Sequence, residues 1–371
     1  MSLLFSPLHL REVELPNRIV LSPMCQYAAI DGCATDWHVM HLGRYACANV
    51  GLVLTEATAI APRGRISPQC LGLYSDESEE ALARVIRFCR DYGQAKFGVQ
   101  LSHAGRKSSV PPSFLSRQAL SVEQGGWVPL SPSHYEDGVH PVPQVMSAAD
   151  IDDVVAQFVA ATRRAARLGV DVIELHFAHG YLVNEFLSPL INQRQDDWGG
   201  ARTNRMRLAL RIFAECRAAF PADRPMGVRV SAVDWVEGGW TIEDSCALAK
   251  ELSALGCDYI CASSGGVSMA QQISPGPGYQ VAFASAIRRE SGIATIAVGQ
   301  ITDAHQAEAI LQNNDADLVA LARGFLRDPH WAWHAAEALD QSLDYAPRFK
   351  SVQPKKGPAS AAQPKGLFMF R

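Results

Sequence analysis

The sequence alternates eight short apolar, β-rich runs with helix-periodic segments, and this alternation constrains the fold more than any other feature. The runs are almost continuously hydrophobic, as parallel strands covered on both faces should be. They lie at residues 18–23, 51–55, 96–101, 170–176, 226–231, 258–263, 294–299 and 317–323. Helix-periodic segments lie at residues 36–48, 76–91, 148–168, 203–219, 241–255, 281–290 and 302–312, and a last one begins near Trp331. Eight strand–helix pairs predict an α/β chain folded as a single (β/α)8 TIM barrel.

A doubly wound sheet is the main alternative for an alternating α/β chain. It would show fewer strands and usually a Gly-x-Gly-x-x-Gly turn after the first of them, which this sequence lacks. The length of 371 residues also suits one barrel, because such barrels often exceed 250 residues. We expect the barrel to span residues 1–345. Helix starts are expected at Ser147, with Asp150 three residues on, and at Thr302.

Two segments do not belong to the repeating pattern. About 70 residues separate the third run from the fourth, and the first half, residues 108–146, is rich in Pro, Ser, Gly and aromatic residues. A connection of this length predicts a lid or hairpin over the mouth of the barrel. Residues 346–371 are rich in Pro and Lys and end in the apolar stretch LFMF at 367–370. They are either an arm that packs on a partner surface, as in a homodimer or homotetramer, or a disordered end.

Composition excludes several classes of protein. The net charge is −4 and the Lys and Arg residues are scattered, whereas nucleic-acid binding needs a concentrated basic face. No apolar stretch approaches the 18 residues of a membrane helix, and Arg11, Glu12 and Glu14 interrupt any signal-peptide core. We therefore expect a cytoplasmic protein with no membrane or nucleic-acid partner.

The nine cysteines predict free thiols, most of them in the core, rather than a disulfide framework. The sequence contains no Cys-x-x-Cys pair, and no cysteine follows Cys261. An iron–sulfur cluster requires several thiolates at close spacing, so none is expected.

Polar residues stand at the end of almost every predicted strand. In a (β/α)8 barrel these ends share one rim, where the chemistry takes place. In chain order the ends carry SPMCQY at 22–27, EATA at 56–59, Gln100, Ser102, His103, Gly105, Arg106, Lys107, His176, His179, Tyr181, Arg229, SSGG at 263–266, Gly299 and RG at 323–324. The sequence therefore predicts one site at this rim.

The last three strand ends indicate a phosphate site. Small residues follow the sixth and seventh strands, and Arg323 with a neighbouring backbone N–H follows the eighth. Glycines let amides approach phosphate oxygens, and the guanidinium adds a bidentate charge. The late loops of such barrels often bind phosphate in this way. The alternative is that these glycines only terminate strands.

The pair His176 and His179 admits two interpretations. It could bind a metal, but no Glu follows in the zincin pattern, and Glu174 and Glu185 lack ligand spacing. Two imidazoles followed by Tyr181 are better suited to binding a substrate oxygen that gains negative charge. The tyrosine would then deliver a proton.

The sequence resembles the old yellow enzymes, which are flavin-dependent ene-reductases. The blocks that carry the resemblance extend from about residue 5 to about residue 345. They are SPMCQY (22–27), EATA (56–59), QLSHAGRKS (100–108), HFAHGYLVNEFLSP (176–189), NQRQDDWGG (192–200), NRMRL (204–208), VRVS (228–231), SSGGV (263–267) and LARGFLRDP (321–329). Cys25, where the other main branch has Thr, resembles the branch of thermophilic and xenobiotic-reducing members.

The resemblance implies a non-covalent FMN and a nicotinamide reductant, NADPH or NADH. Residues expected to line the isoalloxazine are Pro23, Met24, Cys25, Ala59 and Gln100, with Arg229 near its N1/C2 edge. Residues expected to hold the phosphate are Ser264, Gly265, Gly299, Ala322 and Arg323. The family usually has Gly in place of Ala322, which matters little if the contact is a backbone N–H.

The resemblance also implies the reaction. It is that of an NAD(P)H:alkene oxidoreductase of the NADPH dehydrogenase type, in which flavin N5 gives a hydride to an activated alkene. Enones, enals and maleimides are the expected substrates, with quinones and nitro compounds as further acceptors. His176 and His179 would bind the substrate oxygen, Tyr181 would be the proton donor, and Tyr27 would help to hold the substrate. Cys25 would tune the flavin from beside it.

Residues 348–350, RFK, depart from the family pattern. A C-terminal Arg after an aromatic residue often enters the neighbouring subunit's site in this branch, and here either Arg348 or Lys350 could serve. Lys107 is a further candidate for contact with the substrate or with a neighbouring subunit.

Two other functions remain open from the residues. A phosphosugar aldolase or isomerase on the same barrel would need a Lys or Glu at a strand end, and Lys107 is the only such lysine. A non-catalytic flavin-binding protein would have no use for the His176–His179–Tyr181 set.

Overall fold

The computed structural model describes residues 2–116 and 118–354, and within them eight parallel strands close into a barrel. Each strand pairs with its neighbours in the sequence, and β8 pairs with β1. The strands are β1 (Ile19–Leu21), β2 (Leu52–Ala59), β3 (Lys96–Ser102), β4 (Val172–Phe177), β5 (Met226–Ser231), β6 (Tyr259–Ser263), β7 (Ala294–Val298) and β8 (Leu318–Leu321). The predicted (β/α)8 fold is confirmed, with all eight strands inside or overlapping the apolar runs.

Helices surround the barrel at the predicted places. They are Asp36–Ala46, Asp76–Tyr92, Ala148–Arg167, Arg202–Ala219, Ile242–Ala254, Val281–Ser291, Ala304–Gln312 and Trp331–Ala338. The Ser147 cap is confirmed, since its hydroxyl accepts from Asp150 N–H at 3.2 Å. The prediction that Thr302 caps the helix after β7 is wrong. Asp303 caps that helix by accepting from Gln306 N–H at 2.9 Å, while the Thr302 carbonyl is bound by the Trp331 indole.

An antiparallel pair of strands, Leu8–Leu10 and Val13–Leu15, closes the N-terminal end of the barrel. Its leucines continue the cluster of side chains inside the barrel, which includes Val20, Leu52 and Leu318. Arg11 fixes the pair to the start of β6 through Asp258, with a distance of 2.7 Å from Nε to Oδ1. These two strands were not predicted, because LHL and VEL each place a polar residue between two apolar ones and form no continuous apolar run. The opposite, C-terminal end is the one left for a site.

The segment 108–146 is almost free of regular structure. It contains one turn of 3-10 helix, Val122–Gln124, and a short strand, Leu130–Ser131, that pairs in parallel with Gln144–Val145. Because the pair is parallel, the hairpin alternative for this segment is wrong. Phe114 packs edge-on against Tyr27 at the strand ends, with 6.1 Å between the ring centroids.

The chain after the last barrel helix packs on the outside of the barrel. The Trp333 ring stacks on Tyr345 with 4.1 Å between centroids, and a turn of 3-10 helix follows at Pro347–Val352. The apolar stretch at 367–370, predicted as an arm or a disordered end, lies outside the described residues. None of the helices that the structure describes is long and apolar enough to cross a membrane.

Candidate functional site

The loop after β1 is held by a buried carboxylate. Glu56 accepts from Gln26 N–H at 3.1 Å through one oxygen and from His38 Nε2 at 3.1 Å through the other. Thr35 N–H donates to His38 Nδ1 at 2.9 Å, so the ring presents Nε2–H to the carboxylate. Glu56 thereby fixes the backbone next to Cys25. Sequence reasoning missed this role, because no local pattern connects Glu56 with His38.

Cys25, Tyr27 and Tyr181 lie together at the barrel mouth. They pack around a small buried cluster that includes Cys70 and Ala104. Burial raises the pKa of the Cys25 thiol well above its usual value, and it raises the pKa values of both tyrosines. All three groups are therefore protonated near neutral pH and can act as hydrogen-bond donors.

The two predicted histidines face each other at the C-terminal end of β4, His176 within the strand and His179 just after it. Their rings are almost perpendicular, with 5.1 Å between centroids, and His176 Nε2 lies 3.4 Å from His179 Nδ1. The Tyr181 ring lies 4.9 Å from that of His176. Burial, with the nearby charge of Arg229, lowers both histidine pKa values well below the usual range. The pair is neutral, and it can donate hydrogen bonds to an oxygen without carrying a charge.

A tight loop places His179. The φ angle of His179 is +63°, and the His179 carbonyl accepts a hydrogen bond from Lys107 Nζ at 2.8 Å. The same ammonium donates to the carbonyl of Gly266 in the loop after β6. Burial, together with neighbouring Arg106, lowers the pKa of Lys107 to about 8. Lys107 thus joins two loops, and its hydrogen bonds go to the protein backbone.

The histidine pair has no third metal ligand in the described part of the chain. Among residues 2–116 and 118–354, no three His, Cys, Asp or Glu side chains come together as metal ligands would.

Arg229 and Gln100 project from β5 and β3. Arg229 Nη1 donates to Ser22 Oγ at 2.7 Å, whereas its buried Nε has no hydrogen-bond partner among the described residues. Gln100 Nε2 donates to Glu174 Oε1 at 2.7 Å, which turns the amide oxygen of Gln100 away from Glu174. Burial raises the pKa of Glu174, and Arg229 opposes this rise. A buried cationic donor without a partner suits a ligand that carries an acceptor or a negative charge.

A cavity of about 520 Å³ opens beside the ends of β6, β7 and β8. Of the residues predicted for phosphate, Gly299, Ala322 and Arg323 line it, together with Arg229. Gly299 has φ +125°, and a Cβ there would lie 2.9 Å from Gln280 Nε2. Arg323 and Gly324, the first residues of the short helix Arg323–Arg327, line the same cavity.

Two other residues that were predicted to hold the phosphate form hydrogen bonds within the protein. Ser264 Oγ donates to Gln280 Oε1 at 2.6 Å, and the Gly265 N–H donates to the Val233 carbonyl at 2.8 Å. The Gly265 amide is therefore already satisfied within the protein. Cavity-lining residues that sequence reasoning did not single out are Gln280, Gln300 and Tyr279. No motif distinguishes these side chains from ordinary loop residues.

The remaining predicted flavin contacts lie along the ends of β1 and β2. Pro23 and Met24 are half-buried, and Met24 packs against the main core. Ala59 is buried, and its N–H donates to the Leu71 carbonyl at 2.8 Å.

The two C-terminal cations contact groups of their own chain. The Arg348 guanidinium lies over the Tyr92 ring, 5.0 Å from its centroid, and Lys350 Nζ lies 3.4 Å from Asp344 Oδ1. A role of either cation in a neighbouring active site stays a prediction.

Comparison with known proteins gives one consistent result. The model of the family described as NADH:flavin oxidoreductase / NADH oxidase matches residues 3–342. An NADPH dehydrogenase from Geobacillus sp. (strain WCH70) is 43% identical over 358 residues, which is 96% of this chain and 98% of that protein.

Solved structures agree with the fold. Morphinone reductase superposes with a TM-score of 0.75 at 26% identity, covering 92% of this chain and 91% of its own. A 2-naphthoyl-CoA reductase complex gives a TM-score of 0.82 at 20% identity, covering 91% of this chain and 52% of its own. The second likeness concerns the fold alone, and this chain spans about half the length of that protein.

Proposed function

Since this chain belongs to the NADH:flavin oxidoreductase / NADH oxidase family, and thus to the old yellow enzymes, we propose that it reduces the C=C bond of activated alkenes. The family membership makes it an FMN-dependent oxidoreductase that uses NADPH or NADH. The observation that carries the finer proposal is the neutral His176–His179 pair beside Tyr181. Enones, enals and maleimides are the proposed substrates, and quinones and nitro compounds are further proposed acceptors.

The described residues fit FMN. Arg229, whose Nε has no partner among them, would face the flavin edge that becomes negative, and the amide oxygen of Gln100 is free to accept. Gly299, Ala322 and Arg323 would hold the phosphate in the cavity beside β7 and β8. When bound, FMN supplies the redox chemistry, taking electrons from the nicotinamide and passing hydride to the alkene.

The protein groups would bind and polarise the substrate. His176 Nε2 and His179 Nδ1 lie 3.4 Å apart, so a substrate oxygen placed beside both atoms would accept one hydrogen bond from each. Those bonds strengthen as the oxygen gains negative charge, which stabilises the transition state more than the ground state. Tyr181 stays protonated because of its raised pKa, and its phenol would give a proton to the carbon next to the carbonyl.

Steady-state kinetics test this proposal. The purified protein should be yellow, and initial rates with NADPH at several cyclohexenone concentrations should give parallel double-reciprocal lines. Parallel lines are expected because the nicotinamide and the alkene would use one site in turn. Intersecting lines, or a colourless protein that takes up no FMN, would overturn the proposal.

The phosphosugar aldolase or isomerase is less well supported. Its base or Schiff-base nucleophile would be Lys107, but the ammonium of Lys107 donates to the carbonyls of His179 and Gly266. A nucleophilic lysine would have to break these hydrogen bonds.

Replacing His176 should weaken the binding of phenols, whose ionised oxygen resembles an enolate. We expect His176→Ala to raise the Kd of phenol about ten- to a hundredfold, the effect of losing a hydrogen bond to a charged oxygen, about 1.5–3 kcal/mol. The Kd is measured by titrating the protein with phenol and recording the long-wavelength charge-transfer absorbance. His134→Ala, which alters an exposed histidine of segment 108–146, is the control. An unchanged phenol titration in His176→Ala would remove His176 from the site.

Replacing Cys25 should change the flavin potential while turnover continues. A neutral thiol beside the flavin stabilises its two oxidation states unequally, so Cys25→Ala should shift the midpoint potential and change the two half-reaction rates in opposite senses. No covalent adduct with enones is expected. Spectroelectrochemistry measures the shift, with Cys47→Ala, at the end of an outer helix, as the control. A potential equal to that of the wild type would assign Cys25 a packing role only.

A further inference from the structure

We infer that Ser263 is a positioning residue that lets His179 carry its ring proton on Nδ1, so that both histidines can donate to one substrate oxygen. The inference rests on the proposed function and extends it to Ser263, which also lines the cavity beside the ends of β6, β7 and β8. Its basis is the hydrogen bond between Ser263 Oγ, at the end of β6, and His179 Nε2, which is 2.7 Å long and partly buried.

The tautomer of His176 is fixed by the backbone. Ala178 N–H donates to His176 Nδ1 at 3.2 Å, so this nitrogen must carry a lone pair. In a neutral imidazole the single proton then lies on Nε2, the atom that faces His179. His176 is therefore a donor toward the space between the rings.

His179 has no comparable backbone constraint on its ring. Its Nδ1 faces His176, and its Nε2 faces the Ser263 hydroxyl. A proton on Nε2 would make the serine an acceptor and leave a lone pair on Nδ1. A proton on Nδ1 would make the serine a donor and give the ring a second N–H toward the substrate. Only the second arrangement lets the pair bind an anionic oxygen with two donors.

A hydroxyl is the group that allows this arrangement. It donates or accepts after a rotation about one bond, whereas a carbonyl or carboxylate in its place would hold the proton on Nε2. The backbone of His179 is held separately, because its N–H donates to Ser231 Oγ at 2.9 Å. Ser231 and Ser263 are paired in register on β5 and β6, so adjacent strands hold the backbone and the ring. Loss of Ser263 should therefore change the ring proton more than the position of the loop.

The test combines phenol binding with ring-nitrogen spectra of the FMN-loaded protein. In Ser263→Ala, His176 Nε2–H favours a lone pair on His179 Nδ1, and a bound phenolate loses one donor. We expect the Kd of phenol to rise about tenfold, as for one hydrogen bond to a charged group. Ser263→Thr keeps a hydroxyl and should restore the wild-type Kd within about threefold. With phenol bound, ¹⁵N spectra of labelled histidine, assigned through His179→Asn, should show His179 protonated at Nδ1 in wild type and at Nε2 in Ser263→Ala.

Two further variants separate the possible outcomes. Ser245→Ala removes a buried hydroxyl that bonds the Ala232 carbonyl and the Trp240 indole, so it reports the cost of losing a buried serine elsewhere. Its phenol Kd should not change. His179→Ala reports whether the ring binds phenol at all, and no effect there would overturn the proposed function itself. If His179→Ala weakens phenol binding and Ser263→Ala does not, or if the ring proton stays on the same nitrogen in Ser263→Ala, the role of Ser263 is wrong.

Discussion

Tyr181→Phe is expected to slow the reaction of reduced enzyme with an enone about 10²–10⁴-fold, the usual effect of losing a general acid. The phenol lies beside His176 at the barrel mouth and remains protonated, because burial raises its pKa. Flavin reduction by NADPH needs no proton at the alkene carbon and should change much less. The high pKa also predicts that Tyr181 itself does not titrate between pH 6 and 9, so a change of the wild-type enone rate near pH 8 would report Lys107, whose pKa is about 8.

Stopped-flow measurement of the two half-reactions separates these effects. Tyr92→Phe, which removes a phenol hydroxyl from the outer helix Asp76–Tyr92, is the matched control and should leave both rates unchanged. Equal slowing of both half-reactions in Tyr181→Phe would assign the tyrosine a role other than proton donation.

Gly266→Ala is expected to lower turnover with NADPH and cyclohexenone about 100-fold, because it displaces His179. A Cβ on Gly266 would lie 2.6 Å from the Cα of His179, a backbone atom that cannot rotate away. Gly266 also has φ +94°, a conformation that costs other residues roughly 1–3 kcal/mol. Misplacement of a catalytic group by about 1 Å can cost about 100-fold in rate.

Gly276→Ala is the control from the same loop. Gly276 has nothing within 4 Å of the position a Cβ would take, so its replacement should leave turnover and Tm close to the wild-type values. Bound FMN, read from the flavin absorbance, shows whether each variant is folded. If Gly266→Ala matched Gly276→Ala in turnover and in Kd for phenol, the loop after β6 would not control His179.

The barrel could be predicted because its strands are buried on both faces. Continuous apolar runs such as residues 226–231 coincide with β5, and the alternation with helices left one architecture. Short elements outside the main strand–helix alternation escaped prediction, among them the strand Leu8–Leu10 and the six-residue helix Leu182–Leu187. Each of these elements has too few residues to define a periodic pattern, and contacts with the finished barrel stabilise it.

The candidate site was predicted in outline and not in its supporting hydrogen bonds. Position at a strand end was enough to bring His176, Tyr181 and Arg229 to one rim. The satisfied N–H of Gly265 depends on Val233 in another loop, which sequence spacing does not show. The bond between Ser263 and His179 joins two strand ends 84 residues apart in the chain, and only the closed barrel brings them together.

The Lys107 ammonium has a consequence for how this enzyme can diversify. It connects the start of the loop after β3 to carbonyls in the loops after β4 and β6, so the positions of these two loops depend on Lys107. A library that randomises Lys107 or changes the lengths of the loops after β4 and β6 should yield few active members. Segment 108–146 is the better region for directed evolution of substrate range. It reaches the same mouth through Phe114, which is 72% exposed and contacts Tyr27 only at its edge.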